Sequence, residues 1–201
     1  MVKIGITGGI GSGKSYVSRL LTEHYGIPVY NTDLEAKRLM LSDEGIRRRL
    51  TALLGKEVYK SDGTLNKPLL ANYLFADSCH AGQINAIVHP QVKADFLKWA
   101  DRQTGCEVVA LESAILFESG FDNIVDKVVM VYAPVELRIR RVMLRDSTTE
   151  EKIRQRIVAQ MDDKAKQDRS DFIIFNDGSR PLNLQLDDLQ ETLEKMIKGN
   201  G

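Results

Sequence analysis

Gly8-Gly9-Ile10-Gly11-Ser12-Gly13-Lys14-Ser15, near the start of the chain, follows the pattern G-x-x-x-x-G-K-S of a phosphate-binding loop. The run Val2–Thr7 before it is short and mostly apolar, which is typical of a β-strand. After the loop, Val17, Leu20 and Leu21 recur at the spacing of one helix face. Strand, glycine-rich loop and helix are the context in which this motif binds the phosphates of a nucleoside triphosphate. The segment therefore predicts a P-loop.

The residue types within the loop match the chemistry of a triphosphate with its magnesium ion. Glycines allow backbone conformations that a Cβ would forbid, so successive N–H groups can turn toward one anion. Lys14 is predicted to reach the β- and γ-phosphates, and the Ser15 hydroxyl is predicted to ligate Mg²⁺. The residues predicted to bind the nucleotide here are Gly9, Gly11, Ser12, Gly13, Lys14, Ser15 and Tyr16.

The composition is that of an ordinary globular protein with no strong electrostatic attraction to a charged partner. Among 201 residues, 43% are hydrophobic and 28% are charged, and the 28 basic residues balance 28 acidic ones. A neutral chain without a basic stripe and interleaved aromatic residues argues against nucleic-acid binding. Cys79 and Cys106 form no C-x-x-C pair, and no apolar run is long enough to span a membrane. The chain leads directly into the first predicted strand, so we expect a cytoplasmic protein without a cleaved signal. A monomer is expected over a stable oligomer.

Five apolar runs are predicted to be strands. Continuous apolar strands that alternate with helical patterns indicate an α/β fold, in which helices cover both faces of a parallel sheet. The nucleotide-binding core is predicted to comprise about residues 1–60, 101–133 and 168–201. The predicted strands are Val2–Thr7, Ile27–Tyr30, Val108–Leu111, Val128–Val131 and Phe172–Phe175.

Two helical segments interrupt this alternation. The first, about residues 61–100, is interpreted as an insertion for the second substrate. Within it, His89-Pro90 predicts a helix break because the residue before a proline avoids the helical region. The second, about residues 134–167, is highly charged and is interpreted as a mobile lid. It contains two candidate capping boxes for its second helix, Ser147 with Glu150 or Thr148 with Glu151.

Two carboxylates that follow predicted strands are candidates for the chemistry. Asp33 comes after the second strand, at the sheet edge where open α/β sheets bind ligands, and there it can accept the proton of an acceptor hydroxyl. The same position also suits Asp33 as the N-cap of the next helix. Glu112 ends the strand Val108–Leu111 in a Walker-B-like pattern, in which the acid holds a magnesium-bound water. The alternative for Glu112 is a strand-end carboxylate that faces solvent.

Four arginines crowd one predicted helix of the lid. Arg141 and Arg145 are four residues apart and share a face of that helix. A guanidinium that closes over the triphosphate stabilises the transferring group, so we predict a catalytic role for Arg141 and nucleotide binding by Arg145. The alternative is a solvated helix with ion pairs such as Glu136–Arg140. The four residues are Arg138, Arg140, Arg141 and Arg145.

These motifs, taken in order, resemble the dephospho-coenzyme A kinase family, whose members phosphorylate the ribose 3′-hydroxyl of dephospho-coenzyme A. The resemblance extends from the first predicted strand to Gly178, nearly the whole chain. Many nucleotide-binding proteins share the P-loop, whereas the His-Pro, R-x-x-x-R-D and Asp-to-Asn segments in this order are more specific. The matching segments are Thr7–Ser15, Asn31–Asp33, Leu65–Leu70, Asn85–Pro90, Ala114–Glu118, Arg141–Asp146, Arg156–Gln160 and Asp171–Asn176.

The resemblance implies an ATP-dependent kinase that uses Mg²⁺ and has a nucleotide core, a helical coenzyme A-binding insertion and a lid. It implies that Asp33 contacts the acceptor hydroxyl as the base, that Arg141 contacts the phosphates, and that Asn176 lies near adenine. His89 joins Asp33 and Arg141 as an acceptor-binding candidate, although the proline that follows it favours a structural role. ATP and dephospho-coenzyme A are the implied partners.

Three positions depart from the family pattern. Asn31 replaces the first acid of the family's Asp-Ala-Asp, so a family role for that acid does not carry over, whereas Asp33 is retained. Tyr16 stands where threonine is common, but the phosphate uses the backbone N–H at this position. Ala114 replaces a proline, which relaxes the turn after the third strand.

Two other functions share the P-loop. A kinase for another small molecule, such as a nucleoside monophosphate, would have the same core and lid with a different acceptor pocket. A GTP-dependent switch protein would need an N-K-x-D motif, whereas Asn66-Lys67-Pro68-Leu69 lacks the acid and no D-x-x-G segment occurs. The segment Asn85–Pro90 favours the coenzyme A precursor as the acceptor.

Overall fold

The computed structural model describes residues 1–77 and 79–199. These residues form two compact units: one joins Met1–Asn31 to the chain from Arg102 onward, and the other is Thr32–Asp101. The predicted insertion of about residues 61–100 lies within the second unit, which begins earlier, directly after the second strand. The predicted lid, about residues 134–167, belongs to the first unit.

The first unit is built on a sheet of five parallel strands in the order β2-β3-β1-β4-β5, numbered along the chain. The predicted fold class, a parallel sheet flanked by helices, is confirmed. The strands are β1 (Val2–Thr7), β2 (Val29–Asn31), β3 (Val108–Glu112), β4 (Lys127–Tyr132) and β5 (Phe172–Phe175). The helices of this unit are α1 (Lys14–Tyr25), α6 (Val135–Asp146), α7 (Glu150–Val158), α8 (Asp163–Asp168) and α9 (Leu182–Gly199).

The second strand begins later than predicted. Ile27 was predicted to be in the strand, but its N–H donates to the carbonyl of Leu21 at 3.1 Å and so completes the C-terminal turn of α1. That turn is possible because Gly26 adopts the left-handed conformation, with φ 64°, that commonly ends helices. Pro28 has no N–H to donate to a neighbouring strand, so regular pairing starts at Val29.

One face of the sheet packs against α1 and α9. Alternate residues of the strands, such as Ile4 and Ile6, form a core with Val17 and Leu21 of α1 and with three leucines of α9. On the opposite face, Gly5 lies so close to the chain after β3 that an added Cβ would be 2.5 Å from Cδ1 of Leu116. The central strand is therefore buried on both sides, which explains its nearly continuous apolar sequence.

The predicted interruption between the two lid helices is present, but its cap differs from both predictions. Helix α6 ends at Asp146, and Ser147 follows in the left-handed conformation with φ 48°. The N-cap of α7 is Thr149, whose hydroxyl accepts a hydrogen bond from the N–H of Lys152 at 3.5 Å. The two capping boxes predicted from Ser147 and Thr148 are therefore wrong, because the helix starts one or two residues later than they require.

The second unit consists mainly of helices that pack around its longest helix, His80–Asp101. The three helices before it each contact this helix, and buried side chains such as Leu39, Ile46 and Leu50 form the interior. None of the helices in the described part of the chain is long and apolar enough to cross a membrane. The helices are α2 (Thr32–Ser42), α3 (Glu44–Leu54), α4 (Lys67–Ala76) and α5 (His80–Asp101), with a short 3₁₀ turn at Lys56–Val58.

Helix α5 continues through the proline that was predicted to break it. It runs from His80 to Asp101 with Pro90 inside, and α4 ends well before it, at Ala76. A proline in a helix interior costs about 3 kcal/mol, because it removes a hydrogen bond and its ring meets the preceding turn. Burial of an apolar side chain contributes about 1.5–3 kcal/mol, so several on one helix face outweigh that cost. The buried residues of α5 are Ile84, Val88, Val92, Phe96 and Ala100.

We expect Pro90→Ala to stabilise the protein. Alanine restores an N–H that can donate within α5, and it removes the clash of the ring. Part of the gain is lost because alanine gives the unfolded chain more freedom, so the net increase in unfolding free energy should be about 1–2 kcal/mol. Urea unfolding measures it. Gln91→Ala, one residue along the same helix, is the control, and a Pro90→Ala protein no more stable than this control would contradict a continuous helix.

Candidate functional site

The P-loop lies at the carboxyl end of the central strand. The pairing register places Ile6 of β1 and Asn31 of β2 level with Glu112 of β3. The loop of residues 8–13 then leads into α1, whose first residue is Lys14. This edge of a parallel sheet is where ligands bind in open α/β folds, and the start of α1 adds the positive end of a helix dipole. The edge is therefore suited to an anionic ligand.

The loop is enclosed so tightly that none of its four glycines can be replaced without displacing a neighbour, and at Gly9 and Gly13 that neighbour is the side chain of a distant residue. A Cβ on Gly9 would lie 1.4 Å from Nη1 of Arg138. Gly13 has φ +96°, a conformation that favours glycine, and a Cβ there would lie 2.0 Å from Nδ2 of Asn176. The glycines of the motif are thus required by contacts with α6 and with the segment after β5, as well as by the turn itself.

Lys14 lies within the curve of the loop. Its side chain is buried, and Nζ donates hydrogen bonds to the carbonyl oxygens of Gly8 at 2.9 Å and Gly9 at 3.3 Å. The ammonium is therefore held at the place where the motif positions the β- and γ-phosphates.

The hydroxyl of Ser15 and the carboxylate of Glu112 meet at the edge of the sheet. Ser15 Oγ donates to Glu112 Oε1 at 2.7 Å, and Glu112 is only 7% exposed, so the solvent-facing alternative for this acid is wrong. Nearby in the chain, Thr7 Oγ1, Ser12 Oγ and Ser113 Oγ are buried and have no hydrogen-bond partner in the described part of the chain. Hydroxyl and carboxylate oxygens are the ligands that Mg²⁺ prefers, and unsatisfied buried hydroxyls are typical of a site that takes a further polar group. The residues therefore fit a magnesium ion bound to phosphate.

Arg141 and Asn176 close the loop from the side. Arg141 donates from Nη2 to the carbonyl of Asn176 at 2.9 Å and from Nη1 to the carbonyl of Ser12 at 3.4 Å. The amide Nδ2 of Asn176 donates to the same Ser12 carbonyl at 2.8 Å. Two segments that are distant from the loop in the chain thus converge on one of its peptides.

Arg145 and Tyr16, two further predicted nucleotide-binding residues, have exposed side chains. The guanidinium of Arg145 donates two hydrogen bonds to Asp146, at 2.6 and 2.8 Å, and holds the pKa of that carboxyl below its usual range. Arg141 and Arg145 were predicted to share a helix face, yet only Arg141 is hydrogen-bonded to the loop in the described structure. The Tyr16 ring is exposed and lies 5.3 Å from the guanidinium of Arg19.

The two remaining candidates, Asp33 and His89, belong to the second unit. Asp33 is exposed in the first turn of α2, which begins at Thr32, so it is not the N-cap that was considered as an alternative. His89 is partly buried in α5, and burial lowers its pKa. Lys93 on the next turn lowers this pKa further, whereas Asp33 raises it.

Two residues that lie in the predicted motifs but were given no site role of their own also touch the loop. Arg138 is almost fully buried, packs against Gly9 and donates to Asp163 at 2.7 Å. The side-chain oxygen of Gln160 accepts a hydrogen bond from the N–H of Ile10 at 2.9 Å. Arg138 lies three residues before Arg141, and this spacing places both side chains on one face of α6. The spacing could therefore have indicated from the sequence that Arg138 also contacts the loop. Gln160 follows a different helix, and no local spacing connects it to the loop.

A parallel sheet with a glycine-rich loop between its central strand and the next helix, and with a buried acid on the neighbouring strand, defines the class of P-loop nucleotide-binding proteins. Within this class, the family model described as dephospho-CoA kinase matches residues 2–181. The chain belongs to the dephospho-CoA kinase family.

Individual relatives agree with this assignment. A protein of Bacteroides fragilis strain YCH46 named dephospho-CoA kinase is 53% identical over 196 residues, covering 98% of this chain and 95% of the relative. Among solved structures, TT1252 from Thermus thermophilus is 34% identical with a TM-score of 0.77, covering 98% of this chain and 97% of that one. The dephospho-CoA kinase from Campylobacter jejuni is 22% identical with a TM-score of 0.65, covering 99% and 98%, and shares the fold.

The lowered pKa of His89 predicts a pH dependence of stability. An exposed histidine in the unfolded chain titrates near 6.5, so as the pH falls through this value the unfolded state binds more protons than the folded state. The free energy of unfolding should therefore decrease between about pH 7 and pH 5, and His89→Gln should reduce that decrease.

Urea unfolding at the two pH values measures this slope. Gln91→Ala is the matched control, because it changes a neighbouring residue of α5 that carries no titratable group, and this variant should keep the parent slope. An unchanged slope in His89→Gln would show that the charge of this imidazole does not differ between the folded and unfolded states.

Proposed function

We propose that this protein transfers the γ-phosphoryl group of ATP to the ribose 3′-hydroxyl of dephospho-coenzyme A, which gives coenzyme A and ADP and is the last step of coenzyme A synthesis. The observation that carries the proposal is the enclosed P-loop, with Lys14, Ser15 and Glu112 assembled around it, in a member of the dephospho-CoA kinase family. Such transfer requires a positioned triphosphate, compensation of its charge and an oriented acceptor alcohol.

The nucleotide is proposed to bind along the loop, with its triphosphate against the backbone N–H groups and the start of α1. Lys14 compensates charge on the β- and γ-phosphates, and Arg141 stabilises the charge of the group in transfer. A guanidinium has five N–H donors, so Arg141 can hold two carbonyls and still donate to a phosphate oxygen. Adenine is assigned to the region of Asn176, and Arg145 to the outer part of the nucleotide site.

Ser15 and Glu112 are the residues proposed to hold Mg²⁺, the hydroxyl directly and the carboxylate through a water molecule. When bound with ATP, the ion supplies positive charge between the phosphate oxygens. The hydrogen bond between Ser15 and Glu112 supports this assignment, because it holds both oxygen ligands at one place.

Asp33 is proposed to accept the proton of the acceptor hydroxyl. The support is its exposed carboxylate and its position in the chain, two residues after Asn31, which is level with Glu112 in the sheet. We assign the remaining acceptor contacts to the second unit, including His89, and we assign the role of lid to α6 and α7. The cytoplasmic location, the monomeric state and the absence of nucleic-acid or membrane partners, all expected from the sequence, stay predictions.

Substrate choice tests the proposal directly. With ATP and Mg²⁺ present, dephospho-coenzyme A should stimulate ADP release, and the product should carry one added phosphate by mass spectrometry. AMP and shikimate should react with a kcat/KM at least about 100-fold lower, since a site built for one acceptor leaves polar groups unpaired with another. A response to AMP without a response to dephospho-coenzyme A would overturn the proposal in favour of a nucleoside monophosphate kinase.

Asp33→Asn separates chemistry from nucleotide binding. Asparagine keeps the size and polarity of the side chain but cannot accept a proton, so kcat should fall about 100-fold or more while the Kd for MgATP stays within about twofold. Steady-state kinetics and calorimetry measure the two effects.

Glu35→Gln is the matched control for Asp33→Asn. It removes another carboxylate from the first turn of α2, one that pairs with Arg38, and it should keep the parent kcat. If Asp33→Asn also retained the parent kcat, the proposed role of Asp33 as the base would have to be abandoned.

A further inference from the structure

We propose that Gln160 is a positioning residue that keeps the P-loop in its nucleotide-binding conformation before the nucleotide arrives. Its side-chain amide joins the loop to the chain that follows the acid of the metal site. This inference rests on the proposed use of the loop to bind MgATP, and it does not depend on which acceptor is phosphorylated.

The amide of Gln160 makes two hydrogen bonds in opposite senses. Its oxygen accepts from the N–H of Ile10 at 2.9 Å, and its nitrogen donates to the carbonyl of Ala114 at 3.3 Å. Only a side chain with both a donor and an acceptor can make this bridge, and glutamine has the length to do so. A glutamate at this position could still accept from Ile10 but would face the carbonyl of Ala114 with a second acceptor.

Gln160 is itself held by contacts of the segment of residues 160–166, here called the anchor segment, in which Lys166 is buried. The N–H of Met161 donates to Glu118 at 2.7 Å. Lys166, fully buried, donates to the same Ala114 carbonyl at 3.2 Å and lies 3.6 Å from Glu118. Burial lowers the pKa of this lysine, and Glu118 opposes that shift. The backbone that carries Gln160 is thus held by contacts within the protein itself.

The anchor segment also reaches the loop through a second residue. Asp163 accepts from Arg138 at 2.7 Å, and the guanidinium of Arg138 lies against Gly9. The loop is therefore restrained from the anchor segment at two successive positions, at Gly9 by packing and at Ile10 by a hydrogen bond.

The loop needs such restraint because of its own sequence. Ile10 lies between Gly9 and Gly11, and glycine loses more conformational freedom on ordering than any other residue. If the loop had to order when ATP binds, that cost would subtract from the affinity for ATP. With a hydrogen bond to Ile10, in the middle of this stretch, the loop is already ordered when the protein folds, so the entropy of ordering it does not reduce the affinity for ATP. Gln160 therefore increases affinity without touching the nucleotide.

The second end of the bridge ties the loop to the metal site. Ala114 is two residues after Glu112, whose carboxylate accepts from Ser15. One amide thus connects the phosphate-binding side of the site to the chain that carries its acid. This connection predicts that loss of Gln160 affects MgATP binding selectively and leaves acceptor binding unchanged.

The test compares Gln160→Met with the parent. Methionine has nearly the same length but cannot make either hydrogen bond. We expect the Kd for MgATP, measured by calorimetry, to rise about fivefold to tenfold, the effect of one or two neutral hydrogen bonds. The KM for dephospho-coenzyme A should stay within about twofold. Amide exchange in a peptide covering residues 8–13 should be faster in the nucleotide-free variant and should match the parent at saturating MgATP.

Two further variants separate positioning from general stability. Gln155→Met changes an exposed glutamine of the neighbouring helix α7 and should match the parent in every measurement. Lys166→Met removes a buried cation but leaves the bond from Ile10 to Gln160, so it should lower the melting temperature more than Gln160→Met does and weaken MgATP binding less. If Gln160→Met does not fold, Gln160→Ala, which likewise makes neither hydrogen bond and adds no charge, replaces it with the same expected rise in Kd.

The outcomes are distinct. An unchanged Kd for MgATP, or unchanged exchange of residues 8–13, overturns the inference. The inference is also overturned if the Kd for MgATP and the KM for dephospho-coenzyme A both rise in proportion to the fall in melting temperature in Gln160→Met and Lys166→Met. That pattern would be an effect of stability alone. A parent that binds MgATP but does not phosphorylate dephospho-coenzyme A overturns the proposed function alone, and the comparison of Kd values still decides the role of Gln160. A parent that does not bind MgATP overturns both.

Discussion

The close packing of distant segments against the P-loop is the constraint on which the rest of this site depends. Arg138 occupies the space where Gly9 would carry a side chain, and Asn176 occupies the corresponding space at Gly13. The loop can therefore take only a narrow range of conformations in the folded protein. Donors that are fixed in advance stabilise charge without a cost of reorganisation, so this packing is what allows a short glycine-rich turn to act as a binding site.

The parallel sheet supplies the second requirement, the placement of an acid beside the loop. Because β1 and β3 pair in register, Glu112 lies level with Ile6, one residue before the end of β1, and meets Ser15 at the start of α1. A carboxylate at the end of any buried strand would normally remain hydrated. Here the hydroxyl of Ser15 keeps the carboxylate paired while it is almost fully buried, and the same two groups are proposed to hold Mg²⁺, the carboxylate through a water molecule.

Sequence patterns predicted the strands and the fold class well, because both depend on local apolar runs and on the alternation of strands with helices. They failed where long-range packing opposed a local preference. Pro90 was expected to end a helix, yet α5 continues through it, since the burial of one face outweighs the cost of the proline. Local rules rank local conformations and take no account of such tertiary contacts. The error at Ile27 has a local cause, because its N–H completes the turn at Gly26 that ends α1.

The amino-acid sequence by itself determined the P-loop, the strands around it and the membership of the chain in its family, because each of these is written in contiguous residues with fixed spacing. Only the tertiary structure decided which other side chains serve the loop. Arg141 and Arg145 are four residues apart on one predicted helix face, so the sequence does not distinguish them. Of these two, only Arg141 is hydrogen-bonded to the loop in the described structure. The bond from Ile10 to Gln160 spans 150 positions of the chain. The free energy of such a contact depends on how deeply the side chain is buried and on its hydrogen-bond partners. Both are established only when distant segments pack together.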